Sequence, residues 1–371
     1  MVAGEASGDL YGAQVARLLM EKGVGVYGIG GEEMEGAGVE LLYRCEDLAV
    51  VGISEALGKI MEARRASEAL MVAASQRETA LAILIDFPDF NLWMAKLLRK
   101  RGIPILYYVS PQVWAWRRGR VKKIARRVDR MAVILPFEEE LYRKVGLEVE
   151  FVGHPLLDIL NQGISKEEAR GRLGYPYDVP VVALLPGSRK KEIRRLLPPM
   201  LGACEILKGS FPSLRFLLLL APTISREEVG PFLRRHPRLE VKVVDGRVEE
   251  VMRAADAMIV ASGTATLQGA LLGTPMVIVY KVSLLSALVA SLLIRVRYIG
   301  LPNLILGRGV VPELLQLRVT PERIAREVAS LLTDRKRREE MERGFSQLRS
   351  LLRGGASERV AEMAMELMEA A

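Results

Sequence analysis

The segment LIDFPDFN (residues 84–91) contains the side chain best suited to proton transfer. Asp86 ends an apolar run with the pattern of a buried strand, and doubly wound folds present their catalytic groups at strand ends. Asp89 follows Pro88 and precedes a helical run from Phe90, which predicts that it is the N-cap of that helix. Asp86 has no such structural role, and we expect it to be a general base.

The segment LLPGSRKKEI (184–193) has the pattern of a strand, a Gly-Ser turn and a basic helix start. The N–H groups of Gly187 and Ser188, together with the guanidinium of Arg189, could bind a diphosphate, because Arg offers fixed, paired donors. The spacing does not match the GxxxxGK[ST] pattern of a P-loop. An ordinary turn is the alternative.

The segment ASGTATLQ (261–268) predicts a strand end, a small-residue turn and a helix start. Ser262, Gly263 and Thr264 would expose N–H and hydroxyl groups at the helix N-terminus, which suits a pyrophosphate. One helical turn later, Gln268 could reach ribose hydroxyls. Here a binding function is favoured over a structural one.

The segment GEASGD (4–9) lies between a short strand and a helix predicted to open near Leu10. Its glycines permit close approach of a ligand, and a helix N-terminus favours phosphate or hydroxyl groups. Glu5, Ser7 and Asp9 are therefore candidate substrate-binding residues. A tight turn with Asp9 as N-cap explains the same pattern, and both interpretations stay open.

Short apolar runs alternate with amphipathic stretches, which predicts an α/β protein with parallel, doubly wound sheets. Strand candidates are residues 26–30, 81–86, 104–109, 130–135, 149–153, 181–187, 215–221, 241–245, 257–262 and 275–280. The strand before GEASGD is very short or begins upstream. We expect Rossmann-like domains over residues 1–157 and 158–340, with the helical residues ~340–371 packing back on the first. Two similar halves place the ligand in the cleft between them.

The bulk composition limits the function classes. A chain of 371 residues exceeds the usual size of one hydrophobic core, and two cysteines and two histidines do not make a metal cluster. The net charge of +8 indicates an anionic partner: nucleic acid, acidic lipid or a phosphorylated substrate. With no signal peptide and no run long enough to span a bilayer, an intracellular location is expected.

Two further segments suggest contact with a membrane. Residues 117–130 form a basic amphipathic pattern with an apolar stripe at Val121, Ile124, Ala125 and Val128, preceded by Trp114 and Trp116. The pattern fits an anionic membrane, nucleic acid or an ordinary solvated face, and the tryptophans suit a membrane interface or a substrate site. The apolar run 282–294 fits a core helix or a lipid-facing patch.

Eight segments occur in the order found in the lipid-A-disaccharide synthase family, which the chain therefore resembles. They are GEASGD, DLAVVGISEAL (47–57), IDFPDFN, YVSPQVWAWR (108–117), FVGHP (151–155), LLPGSR, ASGTATLQ and LPNLILGRGVVPELLQ (301–316). The resemblance implies a GT-B glycosyltransferase with an acceptor-side first domain and a UDP-sugar-binding second domain. It also implies a peripheral enzyme on the cytoplasmic face of the inner membrane, without metal or other cofactor and without nucleic acid. Family members can form homodimers.

The implied reaction joins UDP-2,3-diacylglucosamine to 2,3-diacylglucosamine 1-phosphate and releases UDP. The positions that match the family's functional residues are Glu5, Asp86, Arg189 and Asn303. Asp86 would take the proton of the acceptor 6-hydroxyl, while Arg189, Asn303 and the turn at 262–264 would stabilise the leaving diphosphate.

Gln268 departs from the family, which carries Glu at this position. Three alternative functions remain. A muramyl-type glycosyltransferase and a UDP-N-acetylglucosamine 2-epimerase share the fold and the nucleotide, and acceptor use would separate them. A non-catalytic basic module that binds RNA or membrane would bind in a salt-dependent way without turnover. That module leaves Asp86 and ASGTATLQ unexplained.

Overall fold

The computed structural model describes residues 1–48, 56–116, 118–160, 163–283 and 297–370. The chain divides into two compact units, one formed by Met1–Asp158 with Leu352–Ala371 and the other by Ile159–Leu351. Each unit contains one parallel sheet covered by helices, which confirms the predicted α/β class.

The first unit has a seven-stranded sheet in the order β3-β2-β1-β4-β5-β6-β7. Its central strands β4 and β5 are buried along their whole length, as expected for apolar strands covered on both faces. The strands are β1 Val2–Ala3, β2 Tyr27–Gly30, β3 Glu40–Arg44, β4 Ala82–Ile85, β5 Ile105–Tyr108, β6 Arg130–Val133 and β7 Glu148–Phe151.

The second unit has a six-stranded sheet in the order β10-β9-β8-β11-β12-β13. Strands β8 and β11 are fully buried at its centre, whereas the edge strand β10 is largely accessible. The strands are β8 Val181–Leu185, β9 Arg215–Leu220, β10 Val241–Asp245, β11 Ala257–Ala261, β12 Met276–Tyr280 and β13 Glu313–Leu315.

Helices follow most strands and complete the βα alternation. In the first unit they are α1 Ala6–Glu21, α2 Glu32–Gly36, α3 Cys45–Leu48, α4 Ala56–Gln76, α5 Pro88–Arg99, α6 Val113–Trp116, α7 Val121–Ala125, α8 Pro136–Arg143 and α9 Pro155–Leu160. In the second unit they are α10 Lys166–Leu173, α11 Lys190–Ser210, α12 Arg226–Leu233, α13 Val248–Ala254, α14 Thr264–Leu271, α15 Leu301–Leu306, α16 Pro321–Thr333 and α17 Arg335–Leu352. The last helix, α18 Ala356–Glu369, belongs to the first unit.

All ten strand candidates contain a strand, and the very short strand expected before GEASGD is β1, but two strands, β3 and β13, escaped prediction. β1 has only two residues, both buried, and pairs with β2 and β4. β3 and β13 lie at sheet edges, where the apolar pattern is diluted by Glu40, Arg44 and Glu313. Edge strands carry a weaker apolar pattern because only part of their surface is buried.

Helix α18 is fixed to the first unit by charged contacts. Arg359 donates to both carboxylate oxygens of Glu150, on β7, at 2.6 and 2.9 Å. The N–H groups of Gly355 and Ser357 donate to the carboxylate of Asp158 at 2.6 and 3.0 Å. These contacts join the chain's last helix to residues that precede the second unit.

The basic segment is less regular than predicted. It contains a 3-10 turn at Arg118–Arg120 and the five-residue helix α7 rather than one long helix. Val121, Ile124 and Val128 are buried, as the apolar stripe predicted. Arg117, residues 49–55 of the family-like segment 47–57, and residues 284–296 of the apolar run lie outside the described residues.

Candidate active site

The predicted site residues follow strands at the point where each sheet reverses its strand order. In the first sheet β1 lies beside β4, with Ala3 paired to Ile85, so Glu5 and Asp86 leave adjacent strand ends. In the second sheet β8 lies beside β11, with Leu185 paired to Val260, so Ser188 and Ser262 also follow adjacent strand ends. Such reversal points are where open α/β sheets bind ligands.

Asp86 lies in a strained turn between β4 and α5. Asp86 and Phe87 both have φ of 46°, and Val109 after the neighbouring strand has φ of 64°. Non-glycine residues rarely adopt this left-handed conformation, which costs on the order of 1–3 kcal/mol each and is common at functional sites. The ring of Phe87 lies against Gly4, where any Cβ would overlap it.

Two side chains hold the Asp86 backbone in this turn. Tyr107 Oη donates to the carbonyl oxygen of Asp86 at 2.6 Å, and Asn91 Nδ2 donates to the same oxygen at 2.8 Å. Asn91 Nδ2 also lies 3.1 Å from the carbonyl oxygen of Ile85. The backbone carbonyl of Asp86 is therefore hydrogen-bonded within the protein, and neither Tyr107 nor Asn91 occupies its carboxylate.

The environment of Asp86 favours its protonated form. Burial, and then the negative charge of Glu5, raise the pKa of Asp86 to about 6, and a hydrogen bond from the Phe87 backbone opposes this shift. A carboxylate with a pKa just below neutrality is ionised at neutral pH and is more basic than an ordinary aspartate. Both properties suit a general base.

Glu5 and Ser7 lie at the start of α1, which begins at Ala6 rather than near Leu10 as predicted. Glu5 is the N-cap residue, and its exposed side chain makes no capping hydrogen bond. Ser7 is half-buried in the first turn. The structure therefore brings Glu5 and Asp86 together at one edge of the first sheet.

Asp9 has a structural role that sequence reasoning assigned to the wrong helix. It is buried within α1 and does not cap that helix. Its carboxylate accepts the N–H groups of Gly31 at 2.7 Å, Glu33 at 3.0 Å and Met34 at 3.1 Å, so it caps α2. This role explains its burial without a substrate.

Asp89 also differs from its prediction. Helix α5 begins at Pro88, and its N-cap is Phe87, so Asp89 lies in the first turn instead of capping the helix. Its exposed carboxylate forms an ion pair with Arg120 at 2.9 Å.

The turn after β8 is occupied by a carboxylate of its own helix. Glu192 Oε2 accepts the N–H groups of Ser188 at 3.1 Å and Arg189 at 3.2 Å at the start of α11. Gly187 has φ of 109°, and a Cβ there would overlap Glu192. The Arg189 side chain is 75% exposed and pairs with Glu192 at 3.3 Å. Two of the groups predicted to bind a diphosphate, the N–H groups of Ser188 and Arg189, therefore already bind the carboxylate of Glu192.

The turn after β11 offers fewer free donors than predicted. The N–H of Ser262 donates to Val279 at 3.2 Å, and its hydroxyl donates to Ile299 at 2.9 Å, so both groups are occupied. Gly263 and Thr264 are exposed at the start of α14, whose first N–H groups have no intrahelical acceptor. Gln268 lies half-buried one helical turn later in α14.

Asn303, a residue carried over from the family, has a fully engaged amide. Its Oδ1 accepts the N–H groups of Val310 and Val311 at 2.8 Å each. Its Nδ2 donates to Val311 O at 2.7 Å and to Glu313 Oε1 at 2.8 Å. The predicted direct contact of Asn303 with a diphosphate is therefore not supported, because the amide already holds the loop between α15 and β13.

Three residues with a role at the site were missed from the sequence. Asn91 and Tyr107 hold the backbone of Asp86, and Glu192 accepts N–H groups of the turn after β8. The sequence signal for Glu192 is weak, because a capping box has Ser or Thr at the N-cap and here the N-cap is Arg189. The roles of Asn91 and Tyr107 depend on contacts across the sheet and leave no local signature.

Neither a metal cluster nor a membrane span is found within the described ranges. No group of three or more His, Cys, Asp or Glu side chains there could hold a metal ion. No helix in the same part of the chain is long and apolar enough to cross a bilayer.

Comparison with sequence families gives one match over nearly the whole chain. The model of the family described as lipid-A-disaccharide synthetase matches residues 1–367. A lipid-A-disaccharide synthase of Anaeromyxobacter sp. (strain K) is 46% identical, covering 99% of this chain and 97% of that protein. The synthase of Syntrophus aciditrophicus (strain SB) is also 46% identical, covering 100% of this chain and 97% of that protein.

Comparison with solved structures gives the fold. The UDP-GlcNAc 2-epimerase from Neisseria meningitidis bound to UDP-GlcNAc matches with a TM-score of 0.67 at 11% identity, over 96% of each chain. MurG from Acinetobacter baumannii matches with a TM-score of 0.60 at 14% identity, over 98% of this chain and 97% of its own. Both matches support the predicted GT-B architecture.

Proposed function

This chain belongs to the lipid-A-disaccharide synthetase family, and from that premise we propose how its two units divide the reaction. The protein is a hexosyltransferase that forms the lipid A disaccharide. We assign the acceptor, 2,3-diacylglucosamine 1-phosphate, to the first unit and the donor, UDP-2,3-diacylglucosamine, to the second. This division follows the chemistry of the two sheet edges.

The observation that carries the proposal is the position of Asp86. It is a half-buried carboxylate at the reversal point of the first sheet, with its pKa raised to about 6, and Tyr107 and Asn91 hold the backbone carbonyl of the same residue. Asp86 takes the proton of the acceptor 6-hydroxyl as that oxygen attacks the donor's anomeric carbon. The bond from this carbon to the UDP oxygen breaks on the opposite face, which inverts the configuration.

The second unit binds the leaving group. We assign the diphosphate to Arg189, the N–H groups of Ser188 and Arg189, and the helix start at Gly263 and Thr264, because these groups donate to anions. The diphosphate takes the place of the Glu192 carboxylate at the Ser188 turn. Gln268 accepts or donates a hydrogen bond to the ribose hydroxyls. Stabilisation of the charge that develops on UDP is the main contribution of this unit.

The acceptor is a lipid, and we propose that the protein meets it at the cytoplasmic face of the inner membrane. Lys122 and Lys123 are exposed on α7, while Val121 and Ile124 of the same helix are buried. This arrangement gives an outward cationic surface that suits anionic headgroups. Loss of vesicle binding at high salt would support peripheral attachment.

The decisive experiment is incubation of the protein with both acylated sugars and detection of UDP and the disaccharide by mass spectrometry. We expect both products in equal amounts. The control replaces the donor with non-acylated UDP-GlcNAc, with and without acceptor. If UDP-GlcNAc serves equally well, or is epimerised at C2 without acceptor, the lipid A assignment is wrong.

A further inference from the structure

Trp114 lies at the same edge of the first sheet as Asp86. It belongs to α6, in the segment that directly follows β5, the neighbour of the Asp86 strand. Its indole is partly accessible. The proposed function uses Asp86 at this edge but gives Trp114 no role.

The indole is held by a buried acid. Glu138, on α8, is 1% exposed, and its Oε1 accepts the Trp114 Nε1–H at 3.0 Å. Its Oε2 accepts the N–H of Leu135 at 3.3 Å. Burial raises the pKa of Glu138 to about 8, opposed by the hydrogen bonds from Trp114, Leu135 and Ser110 and assisted by the charge of Asp86. The influence of Asp86 places Glu138 within electrostatic reach of the base.

Capping alone does not account for this arrangement. A capping glutamate is normally exposed at the helix surface, and burying a carboxyl group is costly unless it is neutral or well bonded. Glu138 is instead buried, and it fixes the indole of Trp114 through Nε1, the only polar atom of that ring system. The orientation of the ring is therefore determined by a buried hydrogen bond.

The accessible part of this region is hydrocarbon. The rings of Trp114 and Phe137 are 5.3 Å apart at 89°, an edge-to-face pair, and Phe137 is 39% exposed. The indole N–H faces inward to Glu138, so the pair offers no polar group to a ligand. A sugar ring needs hydrogen bonds beside its stacking contact, whereas an alkyl chain needs none.

The charge beside the pair suits a phosphorylated lipid. The chain that follows α6 is basic, and the exposed residues Lys122 and Lys123 lie on α7, which contacts α8. An acylated sugar phosphate carries an apolar chain and an anionic group on one molecule. Both features are matched within one stretch of the first unit, at the sheet edge that carries the base proposed to meet the acceptor hydroxyl.

We propose that Trp114 and Phe137 bind an acyl chain of the acceptor and that Glu138 is the positioning residue that orients Trp114. The inference rests on the proposed function, because it specifies how the acceptor assigned to the first unit is recognised. It predicts that changes here act on the acceptor KM according to chain length and leave kcat largely unchanged.

The first test uses Phe137→Ser, which removes exposed apolar surface without disturbing the Trp114–Glu138 bond. Steady-state kinetics are measured in detergent solution with a long-chain acceptor and with a short-chain analogue. We expect the KM for the long-chain acceptor to rise roughly fivefold to tenfold, and that for the analogue less than twofold. Tyr177→Ser, at a 65% exposed position in the second unit, is the matched control and should change neither value.

The second test separates positioning from packing. Glu138→Leu removes the acceptor of the indole N–H while keeping bulk, and it should raise the long-chain KM as Phe137→Ser does. Glu138→Gln keeps a neutral acceptor and should restore a near wild-type KM. If Leu and Gln behave alike in correctly folded protein, Glu138 does not position Trp114.

Two outcomes overturn the acyl-chain assignment without touching the reaction. One is an equal rise in KM for both acceptors in the Phe137→Ser variant. The other is an unchanged KM in detergent together with lost flotation on anionic vesicles, which would make the pair a membrane contact. Failure of the wild-type protein to make disaccharide would instead overturn the proposed function itself.

Discussion

The carboxyl edges of the two sheets have the same topology but different chemistry. At the first edge, Asp86 and Glu138 are carboxyl groups whose pKa values are raised, and Asp86, Phe87 and Val109 have left-handed backbones. At the second edge, two helix starts carry an exposed guanidinium, small residues and backbone N–H groups, of which those of Ser188 and Arg189 are bonded to Glu192. Among the described residues of the second unit, the carboxyl groups with shifted pKa values are all shifted down.

This difference is what the two proposed tasks require. Proton transfer needs a side chain kept basic, and in the first unit burial and the charge of Glu5 raise the pKa of Asp86. Anion binding needs donors that are already aligned, and helix starts provide them without strain. The predictions below test whether the division is real.

The largest effect is expected for Asp86→Asn, which removes the base and preserves shape. We expect kcat to fall by about 10²–10⁴-fold, the usual contribution of general base catalysis. Between the unfolded pKa of 3.8 and the folded pKa of about 6, the folded state binds more protons, so Asp86 destabilises the fold as pH rises. The variant should therefore be more stable at neutral pH, by on the order of 1–3 kcal/mol.

Asp89→Asn is the matched control, because Asp89 is exposed and paired with Arg120. It should keep kcat within about twofold of the wild type, since exposed ion pairs contribute little. Near-normal turnover of Asp86→Asn, measured by UDP release, would show that Asp86 is not the base. The proposed contrast between the two sheet edges would then be wrong.

Arg189→Ala tests the other edge. We expect kcat/KM to fall by about 10–100-fold, because one charged donor to the leaving group is lost. Arg189→Lys should recover only part of this, since an ammonium cannot reproduce the paired donors of a guanidinium. The pH dependence of turnover should be unchanged in both variants, because proton transfer belongs to the first unit. Lys191→Ala, on the same exposed helix start, is the control for lost charge alone.

The sequence predicted the scaffold well because buried parallel strands carry strong apolar patterns. Asp86, Glu5 and Arg189 could be placed at strand ends from the same patterns and the family resemblance. The sequence did not predict which polar side chains are already hydrogen-bonded within the protein. Asn303 and Ser262 look like ligand donors in the sequence, but their amide and hydroxyl groups are used inside the second unit. Such partners are distant in sequence, and no local pattern encodes them.

The prediction of helix caps has the same limit, even for residues close to a helix start. The sequence predicted Asp89 as the cap of its helix and left a cap as one of two interpretations for Asp9, and neither residue caps its own helix. Asp9 caps α2, more than twenty residues away, because α1 and α2 pack side by side. Cap assignments from sequence assume a local partner, and here the partner is tertiary.

A smaller effect, on stability alone, is expected for Asp9→Ala. The change leaves the N–H groups of Gly31, Glu33 and Met34 without their acceptor, and we expect the free energy of unfolding to fall by about 1–3 kcal/mol. Urea titration measures this, with Glu32→Gln on the exposed side of α2 as control. The folded variant should retain kcat and both KM values. A selective rise in acceptor KM would instead restore Asp9 to the substrate site.

The smallest effect, and the most specific, is expected for Glu5→Gln. Glu5 is exposed, and its negative charge is the second cause, after burial, of the raised pKa of Asp86. In the wild type the acid limb of kcat/KM should therefore lie near pH 6. Without the charge of Glu5, ionised Asp86 is less disfavoured, its pKa falls, and the base stays active at lower pH.

The acid limb of Glu5→Gln should therefore move down by less than one pH unit, with Asp89→Asn as the charge-matched control that leaves it in place. The direction of this shift in the acid limb distinguishes two roles of Glu5. A simple loss of acceptor binding would lower kcat/KM at every pH and leave the limb where it was. A downward shift without such a loss would show that Glu5 acts on the reaction through the proton affinity of Asp86. If the limb does not move, burial alone sets the basicity of Asp86, and the charge of Glu5 has another use.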